Sequence, residues 1–467
     1  MLIANGENQF AQFRKRLYHK HFNNRKDTLM DLLDALCSNQ MARSVVELSL
    51  NPRFQRDYNS LYKAITEHRP EQAPVSLAEL AAPHLPALWK GKFWLLGTDV
   101  TAYPRPYAFK LSERESVYKP TPIKGQIPVT YGHDFSQINL LVPRSSRYDP
   151  AWNIPLNGQR TRRQDRGKKA LQQMRSLLEN PNLPFYRDRC LLLGDCDYST
   201  PAYLAAFGDQ PNIINITRSR GNRVYYLAAS APVEPRKRGQ PRLRGKKLKL
   251  NDPSTCPPPD ETITFPEINR KGQTQRVEVQ AWQNVIMPGK RQPVKLSMHQ
   301  HPFTLVLIRI YNTQGELLYP TDPLWLIVMG KERHQIDLKE IYEAFQYRSG
   351  MEQFFRFTKQ NLLLDKFQTP ETEHEEHWWQ IVCLAYLQLW IARKYASCLP
   401  RPWERYLPQV RAKHLSPTMV QRSFGEIIRQ FGTPSKFSKP RNYSPARHRS
   451  IVPALGIAGP LMIQRQI

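Results

Sequence analysis

The sequence predicts an α/β fold whose central sheet lies between helical segments at the two ends of the chain. Residues 93–96 and 190–193 are short apolar runs with the length of strands buried inside a sheet. A basic amphipathic pattern over residues 162–180 predicts a helix between these strands. Strand, helix and strand in this order are typical of an α/β sheet. Helical periodicity over residues 1–70 and 337–396 predicts the flanking helices.

Residues 1–70 are predicted to form a helical N-terminal domain. An apolar stripe of leucines follows a possible N-cap at Asp27, and its members are Leu29, Leu32, Leu33 and Leu36. The residues around the start of this stripe are basic: Arg14, Lys15, Arg16, His19, Lys20, Arg25 and Lys26. A basic helical domain is typical of proteins that dock on DNA, although an ordinary solvated helix pair explains the same pattern. The proline-rich residues 71–90 are predicted to form a linker.

Residues 91–218 are predicted to hold the first part of the sheet, with acids at its strand ends. The first apolar strand runs towards Asp99, and the second runs into Asp195. Further strands are predicted within residues 127–143 and 212–217, and a short helix is predicted near residues 200–208. A sheet of this kind holds the acids at its strand ends rigidly.

Residues 219–300 differ in composition and are predicted to form a β-rich or irregular insertion. They carry a basic run that comprises Arg236, Lys237, Arg238, Arg242, Arg244, Lys246, Lys247 and Lys249. We interpret this run as a solvated loop in the free protein. Trp282 in the same segment has two interpretations, a core residue or an aromatic platform for an unpaired base.

Residues 301–396 return to buried strands at 303–311 and 324–329 and then to a long helix at 337–360, opened by the pair Asp337 and Glu340. One stripe of this helix combines aromatic and charged residues: Tyr342, Phe345, Arg348, Glu352, Phe355 and Lys359. An acid among buried aromatics is costly unless it is paired. The simplest explanation is an ion pair between Arg348 and Glu352 one turn apart. Residues 373–396 are predicted to form a core helix, and residues 397–467 a basic C-terminal region.

The composition points to a polyanionic partner. The chain has 467 residues and a net charge of +28, from 68 basic and 40 acidic side chains. The positive electrostatic field of such a chain favours nucleic acid as the partner, and a membrane surface is the second choice. There is no apolar run long enough to span a membrane and no signal-peptide pattern. The six cysteines form no C-x-x-C pair, which favours a reduced intracellular protein without a structural zinc site.

Three acids stand out by their context: Asp99, Asp195 and Glu352. Taken singly, each aspartate is explained as a turn or capping residue after a strand. Taken together in so basic a chain, the three carboxylates predict a site for hard divalent cations, which prefer oxygen ligands. Two Mg²⁺ ions about 3.5–4 Å apart clamp the attacking and leaving oxygens of a phosphodiester displacement.

These residues resemble the DDE transposases of bacterial insertion sequences, in the subgroup with a Tyr-x2-Arg-x3-Glu-x6-Lys signature. Arg348, Glu352 and Lys359 have the spacing of that signature, with Phe345 at the tyrosine position. The Asp99-Val100-Thr101 segment resembles the first motif of the family.

The second motif of the family resembles the segment Gly194-Asp195-Cys196-Asp197-Tyr198-Ser199. Cys196 and Asp197 replace the Arg-Gly that often follows the acid. This leaves Asp195 and Asp197 as alternatives for the second acid, and the register from Tyr198 favours Asp195.

The resemblance implies an RNase H-like catalytic domain interrupted by the insertion, in which Asp99, Asp195 and Glu352 are the catalytic residues and metal ligands. It implies Mg²⁺ or Mn²⁺ as cofactor, with two ions per active site. It also implies DNA contacts, which we place at Arg348, Lys359, Arg236, Lys237, Arg238, Lys246 and Lys247.

The partners that the resemblance implies are double-stranded DNA, both transposon ends and target, and a second copy of the chain in a synaptic homodimer. The location would be the bacterial cytoplasm, associated with the nucleoid. Two alternatives to a transposase are an inactive DNA-binding descendant and an RNase H-like nuclease without strand transfer.

Overall fold

One large mixed β-sheet with helices packed against it organises the chain, so the predicted α/β class is confirmed. The computed structural model describes residues 8–118, 127–146, 149–208, 210–229, 243–269, 271–289, 296–320, 323–396 and 415–438. Arg236, Lys237 and Arg238 of the basic run lie outside the described residues, as do residues 439–467 of the predicted C-terminal region.

In the described segments, four helices precede the strands, two helices lie among the strands, and four helices follow them. The helices are α1 Gln9–Arg16, α2 Lys26–Cys37, α3 Tyr58–Thr66, α4 Leu77–Ala81, α5 Arg166–Leu178, α6 Pro201–Gly208, α7 Leu338–Gln346, α8 Ser349–Asn361, α9 Thr372–Ala392 and α10 Pro417–Phe431. The strands are β1 Trp94–Pro104, β2 Glu115–Tyr118, β3 Val129–Leu141, β4 Asn153–Thr161, β5 Cys190–Gly194, β6 Ile213–Ser219, β7 Val224–Ala228, β8 Arg244–Lys249, β9 Glu261–Ile268, β10 Thr274–Ile286, β11 Phe303–Tyr311, β12 Leu317–Leu318 and β13 Leu324–Met329.

The sheet combines antiparallel and parallel strands. Strand β3 pairs antiparallel with β1 and β4, while β5 runs parallel to β1 and β6 runs parallel to β5. The path then continues from β6 through β13, β11, β10 and β7 to β8. All five residues of β5 are buried, as expected for a parallel strand covered on both faces.

The strands of the predicted insertion extend this same sheet. Strand β10 pairs with β11 from Arg276 opposite Tyr311 to Val285 opposite Phe303, with a bulge before Val285. Trp282 of β10 is buried and donates its indole N–H to the Pro257 carbonyl at 2.9 Å. Trp282 is therefore a core residue, and it is not placed to stack on a base.

The predicted helix over residues 337–360 is two helices, so the prediction of one continuous stripe was wrong. The amides of Tyr347 and Arg348 bond three residues back, to the carbonyls of Ala344 and Phe345. The Ser349-Gly350 pair that follows has low helix propensity, which explains why the helix is interrupted here. Arg348 consequently lies at the N-cap of α8.

The start of α7 follows the sequence prediction. Asp337 is the N-cap, and its carboxylate accepts from the Glu340 amide at 2.7 Å. Glu340 reaches back to the Asp337 amide, which completes the capping box. Helix α7 is thus fixed at its beginning, close to the end of β13.

Helix α9 is the core helix that its apolar pattern predicts. Every residue from Ile381 to Ala392 is buried, and the helix packs against β4 and α2. Among the described residues, none of the helices combines the length and apolarity that a membrane crossing requires.

The N-terminal helices share a core with α9. The leucine stripe of α2 is buried as predicted, together with all residues from Thr28 to Cys37. Arg14 is buried as well, and its guanidinium pairs with Asp34 of α2 at 2.5 Å and with Gln388 of α9 at 3.0 Å. Arg14 is therefore a core residue, because a buried charge needs a partner.

Part of the segment predicted as a linker is packed structure. Helix α4 begins at a capping box between Ser76 and Glu79. Its residues Leu77 and Leu80 are buried, and the helix contacts β4 and α9. The prolines of residues 71–90 thus border a short helix within the fold.

Three histidines form a buried cluster between the N-terminal segment and α9. The ring of His68 lies 5.8 Å from that of His21 and 6.1 Å from that of His377. Burial holds the pKa of His68 well below its usual value, and the two neighbouring histidines and Arg69 act in the same direction. His68 is therefore neutral in the folded protein near pH 7.

This cluster predicts a loss of stability in mild acid. An unfolded histidine takes up a proton below about pH 6.5, while folded His68 does not, so the free energy of unfolding falls as the pH decreases. The free energy of unfolding of His68→Phe is expected to decrease by about 2 kcal/mol less than that of the unmodified protein between about pH 7 and about pH 5. Urea titrations at the two pH values test this, with the exposed His334→Phe as control. An unchanged pH dependence in His68→Phe would contradict it.

Candidate active site

Parallel pairing brings the two predicted aspartates to one edge of the sheet. Strands β1 and β5 are in register from Trp94 opposite Cys190 to Gly97 opposite Leu193. Asp195 directly follows β5, but Asp99 lies within β1, which continues to Pro104, so the prediction that Asp99 ends its strand was wrong. The register of β1 and β5, continued past Gly97, brings position 99 beside position 195, which explains why two acids far apart in the sequence meet here.

Close packing of α8 on β1 brings the third acid to the same edge. A Cβ atom on Gly97 would lie 3.0 Å from side-chain atoms of Met351 and of Leu141, so only glycine permits this approach without a shift. The side chain of Asn153 donates to the Gly350 carbonyl at 2.9 Å and fixes the first turn of α8. Glu352 follows Met351 and therefore lies beside β1.

A single guanidinium contacts all three carboxylates. Arg348 Nη2 lies 3.4 Å from Asp99 Oδ2 and 3.7 Å from Asp195 Oδ2. Arg348 Nη1 lies 3.2 Å from Glu352 Oε1, so the predicted i,i+4 ion pair is one of three contacts. We call Asp99, Asp195 and Glu352 the three-acid cluster.

The cluster runs from the interior of the protein to its surface. The side chain of Asp99 is 14% exposed, that of Asp195 30% and that of Glu352 59%. Burial raises the pKa of Asp99 to about 7; Arg348 opposes this effect, and Asp195 and Glu352 add to it. Burial also raises the pKa of Asp195, against the Asp197 amide and Arg348. The single positive charge of Arg348 is thus shared by three neighbouring carboxylates. This excess of negative charge favours the binding of a cation of higher charge.

Asp197, the alternative second acid, has different partners. Its carboxylate accepts from Arg166 Nη1 at 2.9 Å and from Arg220 Nη2 at 2.8 Å. Its backbone amide donates to Asp195 Oδ1 at 2.9 Å. Of the two aspartates, Asp195 is the one that contacts Arg348.

The donor chemistry of the three-acid cluster fits Mg²⁺ or Mn²⁺. It supplies carboxylate oxygens alone, which are the ligands of hard divalent cations. Within the described part of the chain, the group whose ligand atoms already lie within 4.8 Å of one another is Asp195, Cys196 and Asp197. That group suits Mg²⁺ poorly, because a thiol is a soft ligand and two arginines already neutralise Asp197.

A model of the family described as DDE superfamily endonuclease matches residues 17–287, more than half of the chain. The chain belongs to this superfamily. It is accordingly an endonuclease-type enzyme that acts on DNA. The match includes Asp99 and Asp195 and ends before Glu352, so it does not bear on the third acid. No curated protein sequence matches the chain.

Of the predicted DNA-contacting lysines, those that the structure describes do not gather at the cluster. Lys359 of α8 is half-buried and donates its ammonium to the Ala102 carbonyl of β1 at 2.7 Å. Burial lowers the pKa of Lys359. Lys246 and Lys247 are exposed on β8, at the far end of the sheet path from β1.

The tyrosines near the signature contact other groups. Tyr342 donates its hydroxyl to Glu267 of β9 at 2.5 Å. The Tyr347 hydroxyl accepts from the Arg144 amide at 3.3 Å. Phe345, at the signature's tyrosine position, packs against the core. Among the described residues, neither tyrosine hydroxyl contacts the three-acid cluster.

Sequence reasoning missed a second charged network in the DDE endonuclease. Arg166, at the start of α5, pairs at 2.5 Å with Asp134 of β3, which is buried, and at 2.9 Å with Asp197. A buried acid of this kind requires a cation. The sequence offered no clear signal for it, because β3 also carries the polar residues His133, Ser136 and Gln137, and all of them are buried.

Proposed function

We propose that this DDE endonuclease is a DNA transposase that cleaves at transposon ends and transfers the cut strand into target DNA. The observation that carries the proposal is the contact of Arg348 with three carboxylates from separate parts of the chain. A second copy of the chain would complete a synaptic complex on double-stranded DNA, in the bacterial cytoplasm at the nucleoid. The basic composition supports a polyanionic partner.

The strand order supports an RNase H-like catalytic domain. The order β4-β3-β1-β5-β6 has three antiparallel strands followed by two parallel ones, and α5 connects β4 to β5. We infer that this domain comprises residues 91–218 and 301–396, with residues 219–300 as its insertion. Residues 1–70 and the basic run of the insertion would add further DNA contacts.

We infer that Asp99, Asp195 and Glu352 hold two Mg²⁺ or Mn²⁺ ions. When bound, the ions would activate water or a 3′-hydroxyl and stabilise the leaving oxygen. Asp99 is held rigidly on β1, and the more exposed Glu352 is free to adjust its position from α8. Arg348 would then leave the acids and contact a DNA phosphate near the scissile bond. Lys359 would add a second backbone contact only after its ammonium leaves the Ala102 carbonyl.

Incubation of the purified protein with labelled DNA that carries the ends of its element tests the proposal. With Mg²⁺ or Mn²⁺ we expect nicks at the element boundary and then joined products, and with EDTA neither. Cleavage without joining in either metal would identify a nuclease. Binding without cleavage would identify an inactive DNA-binding protein, and either result would overturn the transposase assignment.

A further inference from the structure

We infer that a basic cleft beside the three-acid cluster binds the phosphate backbone of the DNA strand that is cut. The cleft has a volume of about 730 Å³ and lies between α5, the start of α6 and the turn from β6 to β7. We call it the α5 cleft, and its cationic residues are Arg163, Arg166, Lys168, Arg175, Arg220 and Arg223. The inference rests on the proposed action on DNA.

The charges of the α5 cleft are unbalanced. Six cations line it, and Asp197 is the one carboxylate among the described lining residues. Asp197 pairs with Arg166 and Arg220, and no described carboxylate pairs with the remaining four cations. Like charges held together repel one another unless an anion lies between them. A polyanion would relieve this repulsion, whereas an apolar or cationic partner would not.

The direction of α5 strengthens the preference for an anion. The helix begins at Arg166 after the N-cap Asp165, whose side chain makes no capping hydrogen bond, and its first turn contains Lys168 and no acidic residue. The N-terminus of a helix carries a partial positive charge, so cations there are unfavourable and anions are stabilised. Arg166 and Lys168 thus add two positive charges where the helix dipole is already positive, against the one negative charge of Asp165.

The spacing along α5 suits successive phosphates. Lys168, Gln172 and Arg175 are four and three residues apart and lie on one face, which borders the cleft. Lys168 and Arg175 are about 10 Å apart along the helix axis. Each DNA strand carries one charge per about 3.4 Å of its axis, so this face spans about three phosphates. Arg220 and Arg223 face it from the turn between β6 and β7.

The cleft borders the three-acid cluster, although none of the three acids lines it. Cys196 and Asp197 line it, and the Asp197 amide donates to Asp195 at 2.9 Å. A strand whose scissile phosphate lies at the acids would therefore continue into the cleft. Asp197 acts there as a positioning residue, because it holds Arg166 and Arg220 at the junction.

The test compares two triple variants that remove the same charge. Lys168→Gln, Arg175→Gln and Arg223→Gln change exposed residues of the cleft. The control variant changes exposed lysines outside the proposed DNA-contacting segments, Lys110→Gln, Lys271→Gln and Lys331→Gln. DNA affinity is measured in EDTA over a series of salt concentrations. We expect the cleft variant to lose about 30–100-fold in affinity at about 0.1 M salt, and its salt slope to decrease by about 2–3.

A cleft variant that matches the control in affinity and slope would overturn the inference. Metal-dependent cleavage of the same DNA by the unmodified protein tests the proposed function separately. If the unmodified protein cleaves and the cleft and control variants bind DNA equally well, the inference about the cleft is wrong and the proposed function stands. If the cleft variant alone loses affinity and the unmodified protein does not cleave, the inference about the cleft is supported and the transposase assignment is wrong. Equal melting temperatures check folding. If they differ, Lys168→Gln and Arg223→Gln are measured singly, each with an expected slope change of about 1.

Discussion

Asp99→Asn and Glu352→Gln are each expected to abolish DNA strand cleavage while leaving DNA binding largely intact. Both changes remove a carboxylate from the three-acid cluster and keep the size of the side chain. The loss should exceed the roughly 10–100-fold that follows removal of a residue which only supports a metal ligand. Cleavage and binding are measured on the same labelled DNA, with Mg²⁺ for cleavage and with EDTA for binding.

The matched control for these changes is the pair Asp195→Asn and Asp197→Asn. Asp195 contacts Arg348, whereas Asp197 is held by Arg166 and Arg220. We therefore expect Asp195→Asn to abolish cleavage and Asp197→Asn to retain it within about tenfold, with somewhat weaker DNA binding because two arginines are loosened.

Two results would contradict this assignment. Cleavage by Asp99→Asn or Glu352→Gln at nearly the unmodified rate would remove them from the catalytic residues. Loss of cleavage in Asp197→Asn with retention in Asp195→Asn would show that the second acid had been misassigned. Melting temperatures of the variants separate an effect on chemistry from an effect on folding.

Much of the fold follows from local sequence signals. Strands β11 and β13 begin and end at the residues that their apolar runs indicate, because a buried strand needs a mainly apolar run between polar turns. The break between α7 and α8 was not predicted, since Arg348 and Glu352 keep helical spacing across it. Backbone hydrogen bonds to the third residue back interrupt the α-helix there, but the three- and four-residue spacing of the sequence pattern does not reveal them.

The sequence pattern pointed to the three acids but not to the arginine contacts that connect them. Asp99 and Asp195 were recognised because each comes shortly after a short apolar run, and Glu352 because it lies among aromatics, although β1 continues past Asp99 to Pro104. Arg348 was linked to Glu352 alone, since the pairs with the two aspartates depend on the packing of α8 on β1. The α5 cleft was missed for the same reason: Arg166 and Arg220 meet only through Asp197.

The N-terminal segment shows the limit of charge patterns. Arg14 and Lys15 are neighbours in one basic stretch, yet Arg14 is buried against Asp34 and Lys15 is exposed. The sequence does not state which way α1 faces, and this orientation decides whether a cation meets solvent or a core acid. A prediction of DNA contact from such a stretch therefore applies to its exposed members: Lys15, His19, Lys20 and Arg25.

Arg348→Ala is expected to lower stability without divalent ions and to increase the stabilisation that Mg²⁺ provides. Removal of the guanidinium leaves three carboxylates without their shared cation. Breaking a buried ion pair costs about 3–5 kcal/mol, and we expect about 2–3 kcal/mol here because Glu352 is more than half exposed. Melting temperatures in EDTA and in Mg²⁺ measure both effects.

The expected gain with Mg²⁺ follows from competition for the same oxygens. Arg348 must leave Asp99 and Asp195 before these carboxylates bind an ion, so its removal should tighten Mg²⁺ binding and raise the melting temperature more than in the unmodified protein. Arg356→Ala, an exposed change on the same helix, is the control and should show neither effect. An equal response to Mg²⁺ in Arg348→Ala and in the unmodified protein would mean that the arginine does not compete with the metal.

Cleavage by Arg348→Ala should nevertheless decrease, because in our proposal the same guanidinium contacts a DNA phosphate once it leaves the acids.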